Sequence, residues 1–245
     1  MNQSKKSELP FRPKEHAEDY ILSRILSGHY PPGSLLPGER ILSEEMGVTR
    51  PTLRETLHRL AGEGWLLIRH GKPTLVNDYW KTGGLGLLNT MTRYGAYLPD
   101  TMIGHLLDAR AAIMPKIALQ AAIHGSDALL LFLSQAATIK DTATAFTRFD
   151  WELQKRFAGE SGNPLSLMLL NSFESLFFTM GQIYFNDPKG RKASAAYYRR
   201  LAPALETSPE AVESLVRDEM VRARELWSEI EKPSVSQTKS AQGAI

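Results

Sequence analysis

Residues 47–76 read GVTRPTLRETLHRLAGEGWLLIRHGKPTLV, and this stretch decides the fold of the N-terminal part of the chain. Thr49 can cap a helix that follows it, and Pro51 suits an early helical position because its missing N–H has no partner there. Thr52 and Glu55 add the spacing of a capping box. The apolar positions of this helix recur at helical spacing: Leu53, Leu57 and Leu60. The stretch therefore begins with a capped amphipathic helix.

Two strand-like runs follow this helix, Trp65–Arg69 and Thr74–Val76. Between them His70 and Gly71 supply a turn, because glycine accepts a positive φ. The end of the stretch therefore predicts a β-hairpin with a cationic tip.

Two further helices are predicted upstream, over Glu15–Gly28 and Gly38–Met46, separated by the helix-breaking residues 31–33. Gly47 ends the second of them. Helix, helix, tight turn, helix and hairpin is the element order of a winged helix-turn-helix. We predict that fold for residues 15–77.

Polar side chains at the start of the third helix are candidates for reading DNA. Arg50, Thr52 and Arg54 lie beside the leucine stripe, and a recognition helix presents its N-terminal residues to base edges. Arginine can form two hydrogen bonds with guanine, and Arg40 on the second helix is placed to reach the same groove or its backbone. A solvated helix face is the alternative for these residues. The cationic hairpin tip, residues 69–72, favours DNA.

Charge alone gives little support to this interpretation. The net charge is +2, and residues 1–80 carry eleven Lys and Arg against ten Asp and Glu. Between Thr49 and Lys72, however, five basic residues face two acidic ones, and a basic patch can act locally. The 245 residues include no cysteine, which excludes disulfides and thiolate zinc sites and fits a reducing cytosol.

The chain divides into regions of different character. No signal peptide is recognised at the N-terminus, and the apolar residues 164–185 are interrupted by polar ones, so we expect a cytoplasmic protein. The predicted organisation has five parts: a flexible arm at 1–14, the winged helix-turn-helix at 15–77, a linker at 78–84, a helical domain for effector binding and coupled dimerisation at 85–231, and a disordered tail at 232–245.

The helical region is predicted to be an antiparallel bundle of about seven helices, so the fold class is mainly α. The expected helices lie near 85–94, 100–123, 126–139, 142–159, 164–184, 189–205 and 209–231. Pro115 should kink or divide the second of these helices. Arg110 lies between apolar residues and needs a partner, either a carboxylate such as Glu174 or a bound anion. Most of the aromatic residues are expected in the core.

Several motifs resemble the GntR family of bacterial transcription regulators. In the N-terminal region these are LPGER at 36–40, GVTRPTLRE at 47–55 and LAGEGW at 60–65. The wing, RHGKPT at 69–74, is similar to that of the FadR type, which regulates fatty-acid metabolism. The likeness continues more loosely through SGNP at 161–164, YF at 184–185, DP at 187–188 and Trp227.

The resemblance implies a set of DNA contacts: Arg40, Thr49, Arg50, Thr52, Arg54, His70 and Gly71. Pro51 departs from the FadR pattern, which has a threonine there, so a phosphate contact from this position is not expected. Two copies of the domain would match a palindromic operator of double-stranded DNA.

Many GntR relatives bind a metal in the helical domain through one Asp and several His. Where those relatives place one ligand histidine, this sequence has Gln154. The helical region holds only His105 and His124, too few for a three-histidine site. Asp150 is then interpreted as a helix or surface carboxylate. We predict no metal and no cofactor.

The absence of the metal pattern is typical of the branch that binds long-chain acyl-CoA and then leaves its operator. By position, four residues match the surroundings of that pocket: Arg110, Tyr184, Tyr198 and Trp227. Met220 and Ala223 replace small residues that let CoA approach, and the bulk of Met220 could narrow that path.

The sequence thus predicts a homodimeric repressor and activator of fatty-acid degradation and synthesis genes, with long-chain acyl-CoA as effector. A regulator with another effector, such as a small carboxylate, is the alternative. An enzyme is not expected, because no Ser/His/Asp arrangement, phosphate-binding glycine loop or metal cluster is recognisable.

Overall fold

The computed structural model describes residues 12–84, 86–94 and 101–231. The predicted arm at 1–14 and the tail at 232–245 therefore lie wholly or mostly outside the described residues. The chain divides into two compact units, residues 1–98 and 99–245, and each unit is described separately below. The finer boundaries, including the linker at 78–84, stay a prediction.

The first unit contains the predicted winged helix-turn-helix. Its elements are α1 (Pro13–Leu26), α2 (Glu39–Met46), α3 (Arg50–Gly62), β1 (Leu66–Leu67), β2 (Leu75–Val76), α4 (Tyr79–Thr82) and α5 (Gly86–Arg93). β1 and β2 pair antiparallel, with Leu66 opposite Val76. Both strands are shorter than predicted, and Leu35 adds an isolated bridge to Leu75 that the sequence analysis did not foresee.

The start of α3 follows the predicted cap. The hydroxyl of Thr49 accepts a hydrogen bond from the backbone N–H of Thr52 at 3.3 Å. The expected capping box of Thr52 and Glu55 does not form, because the N-cap is Thr49 and Glu55 then lies inside the helix, where it accepts a hydrogen bond from Lys14 at 2.5 Å. The predicted leucine stripe is confirmed as buried: Leu53, Leu57 and Leu60. The hydroxyl of Thr49 thus caps the N-terminus of α3.

Loss of this cap should destabilise the first unit measurably. Thr49→Ala is expected to lower the free energy of unfolding by about 1 kcal/mol, because an N–H of the first turn loses its acceptor. Chemical denaturation of both variants checks this. Thr179→Ala, which changes an exposed mid-helix threonine, is the control and should cost nothing. Equal effects of the two substitutions would contradict the role of the cap.

A buried carboxyl group joins three helices of the first unit. Glu18 on α1 accepts hydrogen bonds from Arg59 on α3 and from Arg93 on α5, the latter at 2.5 Å. Burial raises the pKa of Glu18, but the two guanidinium groups outweigh it and hold that pKa below its usual value. Because both arginines share one carboxylate, α3 and α5 are tied to α1 at the same point.

The second unit is a helical bundle. Its elements are α6 (Thr101–Leu133), a 3₁₀ turn (Ser134–Thr138), α7 (Ala143–Glu160), α8 (Pro164–Asn171), α9 (Glu174–Asn186), α10 (Pro188–Thr207) and α11 (Pro209–Glu231). The single helix expected over 164–184 is wrong, since α8 ends through i to i−3 hydrogen bonds of Ser172 and Phe173.

The long helix α6 is interrupted at a glycine rather than at its proline. Pro115 does not divide the helix, and the non-helical backbone lies at Gly125 (φ −139°, ψ 33°), within the predicted break between 123 and 126. The side chain of Glu160 occupies the space that a Cβ at this position would take. Pro115 is buried in the bundle, so packing compensates for the one hydrogen bond that it cannot donate.

α6 forms the centre of the bundle. The segment Thr101–Thr138 is long and apolar enough by composition to cross a membrane, since an 18-residue window in it has a mean hydropathy of 1.4. Core helices of globular domains meet the same criterion. Two charged side chains of α6 pair with α11: Lys116 lies 2.9 Å from Glu213, and Asp108 accepts a hydrogen bond from Arg224. We therefore interpret α6 as the core helix of a globular unit.

Candidate functional site

The predicted DNA-reading residues lie around the turn between α2 and α3. Gly47 adopts the left-handed conformation (φ 64°) that ends α2, and α3 begins three residues later. Arg50 and Arg54 are exposed on α3, Arg40 is accessible on α2, and the half-buried Thr52 lies between them. These arginines and the exposed N-terminus of α3 share the helix-turn-helix surface.

The three arginines differ in their partners. Arg40 donates hydrogen bonds to both carboxylate oxygens of Glu44 at 2.9 and 3.0 Å, and Arg54 donates to Glu39 at 2.6 Å. Among the residues that the structure describes, none forms an ion pair with Arg50. Arg50 can therefore engage an anion without first giving up a carboxylate, whereas Arg40 and Arg54 must exchange or share theirs.

The wing presents its tip to solvent. His70 and Gly71 are exposed, as are Arg69 and Lys72 on either side of them. Gly71 has φ +69°, which L-residues with a Cβ rarely adopt. The base of the hairpin is fixed because one residue of each strand is buried. A fixed base with a compact cationic tip suits contact with a minor groove or phosphates.

The second unit contains a cavity of about 170 Å³ between its helices. By the same measure this is roughly ten times the space that one buried water needs. Its lining is mainly apolar, and one part of it is the cluster of Ile103, Leu176 and Trp227. The other part carries polar side chains from α7, α10 and α11. The cavity is therefore amphipathic.

An ion pair lies in the polar part of this cavity. A guanidinium nitrogen of Arg110 lies 3.3 Å from Asp150 Oδ2, and Tyr198 donates its hydroxyl hydrogen to Asp150 Oδ1 at 3.0 Å. The expected partner Glu174 is exposed, so that assignment is wrong. Asp150 is 7% exposed, which also corrects its interpretation as a surface carboxylate.

The four predicted effector residues are not all equivalent. Arg110, Tyr184 and Trp227 line the cavity. Tyr198 is not part of the lining, and its hydroxyl donates a hydrogen bond to Asp150. The adjacent Tyr197 lines the cavity instead. Their roles toward a ligand stay a prediction.

Met220 and Ala223, where the sequence departs from the FadR pattern, are both part of the cavity wall. Met220 is 4% exposed and packs into the bundle core. The side chain of Met220 is therefore part of the packed cavity wall. At Ala223, a larger side chain would extend into the cavity.

Three cavity residues were missed by the sequence analysis as binding candidates: Gln154, Tyr197 and Glu219. All three are at least 97% buried. Gln154 was noted only as a replaced histidine, although it shares a helix face with Asp150 and Phe157. Glu219 lies on α11 between the buried Val216 and the cavity residue Ala223. Glu219 is a carboxylate at helical spacing within an apolar stripe, and this pattern could have indicated a buried polar site from the sequence.

Burial is the largest cause that raises the pKa of Glu219, and the nearby Asp150 adds to it, while Arg222, Arg200 and Arg110 lower it. The balance of these effects raises the pKa to about 7. Arg200 lies 3.6 Å from Glu219 Oε2, close enough to attract it but too far for a hydrogen bond. The folded state therefore binds a proton that the unfolded state releases near pH 4.5.

This pKa predicts a pH dependence of stability. The folded pKa lies above the unfolded one, so stability falls as pH rises from about 4.5 to 7 and the loss is complete above it. Glu219→Gln should remove this component. The free energy of unfolding of the variant, relative to that of wild type, should therefore increase by about 2 kcal/mol from pH 5 to pH 8. Guanidinium unfolding at both pH values measures it. If the two proteins differed in free energy of unfolding by the same amount at both pH values, the raised pKa of Glu219 would be contradicted.

Among the described residues, no group of three or more His, Asp and Glu side chains is placed to hold a metal ion. Gln154, at the position where metal-binding relatives have a ligand histidine, carries an amide instead of an imidazole.

The comparisons with known proteins agree with both units. Residues 13–76 match the family model described as bacterial regulatory proteins, gntR family, and residues 77–237 match the FadR C-terminal domain. The chain belongs to the GntR family. It has the FadR type of C-terminal domain, and it is a DNA-binding transcription regulator rather than an enzyme.

Curated GntR relatives are similar over most of their length. A protein of Erwinia tasmaniensis named fatty acid metabolism regulator protein is 40% identical, over 88% of this chain and 91% of its own. One of the same name from Yersinia pestis is 41% identical over 80% of this chain and 82% of its own. The solved structure of Lar from Listeria monocytogenes shares the fold, with a TM-score of 0.62 at 14% identity and 91% and 99% coverage.

Proposed function

We propose that this GntR-family chain regulates fatty-acid metabolism genes in the cytoplasm as a homodimer and leaves its operator when it binds long-chain acyl-CoA. The observation that carries the proposal is the apolar cavity inside a FadR C-terminal domain. The names of the curated relatives support the same gene class.

The DNA half of the proposal rests on the helix-turn-helix surface and the wing. Arg50 and Arg54 supply cations that pair with guanine or phosphate, and the N-terminus of α3 at Thr49 supplies donors for a phosphate. Arg40, Thr52, His70 and Gly71 surround them. A homodimer presents two such surfaces about a two-fold axis, so selection from random duplexes should return a palindromic site.

The effector half rests on the shape and composition of the cavity. An acyl chain is apolar, and burying it against Ile103, Leu176 and Trp227 gains about 25 cal/mol per Å² of apolar surface removed from water. Arg110 and Tyr184 lie where the polar part of the cavity begins. The CoA portion would pass Met220 and Ala223.

A small carboxylate effector is the second candidate, and Arg110 is the feature that favours it. The guanidinium of Arg110 is however already paired with Asp150, and Glu219 adds a second carboxyl group to the same cavity. A free carboxylate would therefore meet two acidic groups, and acyl-CoA is the better fit.

Binding of oleoyl-CoA tests the effector half. Ala223→Trp adds bulk to the cavity wall, while Val221→Trp places the same new side chain on the exposed face of α11. Isothermal titration should show micromolar binding to wild type and to Val221→Trp, and at least tenfold weaker binding to Ala223→Trp. Equal loss in both variants, or binding to none of the three proteins, would contradict the assignment of the cavity.

A further inference from the structure

The polar part of the cavity contains side-chain atoms that no residue satisfies. Gln154 and Tyr197 are each 1% exposed, and Glu219 is 3% exposed. Among the described residues, no hydrogen-bond partner exists for the amide N and O of Gln154, the hydroxyl of Tyr197 or Oε2 of Glu219. The three side chains come from three different helices, α7, α10 and α11, and all line the one cavity.

These atoms need a hydrogen-bond partner inside the cavity, either water or a polar group of a ligand. A buried donor or acceptor that lacks its partner costs about 1–3 kcal/mol, and here several such atoms face the same space. A purely apolar acyl chain would leave all of them unsatisfied. The atoms include a donor amide, an acceptor amide oxygen and a hydroxyl that can do either. Together they match a group that both donates and accepts hydrogen bonds.

The charges of this part of the cavity narrow the chemistry further. Asp150 is balanced by Arg110 at 3.3 Å, while Glu219 lies 3.6 Å from Arg200 and its Oε2 has no hydrogen-bond partner among the described residues. An added carboxylate would be repelled by both acidic side chains, and an added cation would have to give up its hydration in a mainly apolar space. A neutral hydroxyl avoids both penalties.

We propose that the cavity selects acyl-CoA effectors whose chain carries a hydroxyl group, which hydrogen-bonds to Gln154 and Tyr197 beside Glu219. This inference rests on the proposed function and names the chemical class of its effector. The hydroxyl lies either near the thioester, on carbon 3, or at the far end of the chain, since both positions offer the same chemistry to the cavity.

Three ligands of equal chain length test the inference: palmitoyl-CoA, 3-hydroxypalmitoyl-CoA and 16-hydroxypalmitoyl-CoA. Their dissociation constants for the full chain are measured by isothermal titration. We expect one of the hydroxylated ligands to bind at least tenfold more tightly than palmitoyl-CoA. The ligand that does so identifies which end of the acyl chain reaches Gln154.

Two variants show that the preference arises at this place. Tyr197→Phe removes only a hydroxyl, and Gln154→Leu replaces the unpartnered amide with a side chain of similar size, so both should fold, as thermal unfolding will verify. In each variant the tenfold preference should fall below threefold, while affinity for palmitoyl-CoA stays equal or improves. Met168→Leu, on the exposed face of α8, is the control and should keep the full preference.

The outcomes separate the two proposals. If palmitoyl-CoA binds as tightly as both hydroxylated ligands, or if the preference survives in both variants, the hydroxyl inference is overturned and the acyl-CoA function stands. If none of the three ligands binds, both the function and the inference are wrong.

Discussion

Arg50→Ala is expected to weaken operator binding by about 10- to 100-fold, the equivalent of about 1–3 kcal/mol for one good arginine–guanine contact. Arg50 has the largest expected effect because it is the arginine of the helix-turn-helix surface that no described carboxylate neutralises. Arg40 and Arg54 are paired with Glu44 and Glu39. Their removal also releases a carboxylate near DNA, so part of their effect would be repulsion.

Fluorescence anisotropy with a labelled operator measures this loss. Arg199→Ala removes the same charge from an exposed site on α10 and is the matched control. It should leave affinity within twofold of wild type. Titration in salt adds a second readout, since a lost phosphate contact reduces the salt slope by about 1, whereas a lost base contact relaxes sequence preference. Equal affinities of Arg50→Ala and wild type would contradict the assigned surface.

Arg110→Met is expected to lower the free energy of unfolding by about 3 kcal/mol, because Asp150 would keep its buried charge without a cation. Asp150 is 7% exposed, and Tyr198 would remain as its hydrogen-bond donor. The side chain of Arg110 is about one quarter exposed, which places the expected effect at the lower end of the range for buried pairs.

A double-mutant cycle isolates this interaction. Combining Arg110→Met with Asp150→Asn removes both charges and keeps an acceptor for Tyr198, so most of the lost stability should return. Denaturant unfolding of the four proteins gives the coupling energy. Additive effects of the two substitutions would show that the ion pair contributes nothing. Such a result would leave Arg110 available for an anion, as the sequence analysis had considered.

Much of the first unit could be predicted from the sequence because its signals are local. Thr49 caps α3 through the N–H of Thr52, three residues further along the chain, and the glycine at position 47 ends α2 as expected. Glu55 was misjudged because two threonines, Thr49 and Thr52, could each begin the helix, and only Thr52 would place Glu55 in a capping box. The structure has Thr49 as the cap, and Glu55 pairs with Lys14, 41 residues away.

In the second unit, several features could not be predicted from local sequence signals. Helix content and most bounds of the bundle followed from periodicity, yet the break between α8 and α9 carries neither proline nor glycine. Tyr197 and Tyr198 are neighbours about 100° apart on α10, and periodicity cannot say which of them faces a cavity. Similarly, the choice of Asp150 over Glu174 as partner of Arg110 depends on how helices α6 and α7 pack.

The proposed function requires that effector binding and operator binding be coupled. In one measurement, oleoyl-CoA is titrated into the complex of the full chain with an operator selected from random duplexes, and the anisotropy of the DNA is followed. We expect release at micromolar oleoyl-CoA with at least a 100-fold loss of affinity, which corresponds to about 2.7 kcal/mol of coupling. DNA that stays bound at saturating oleoyl-CoA would contradict it.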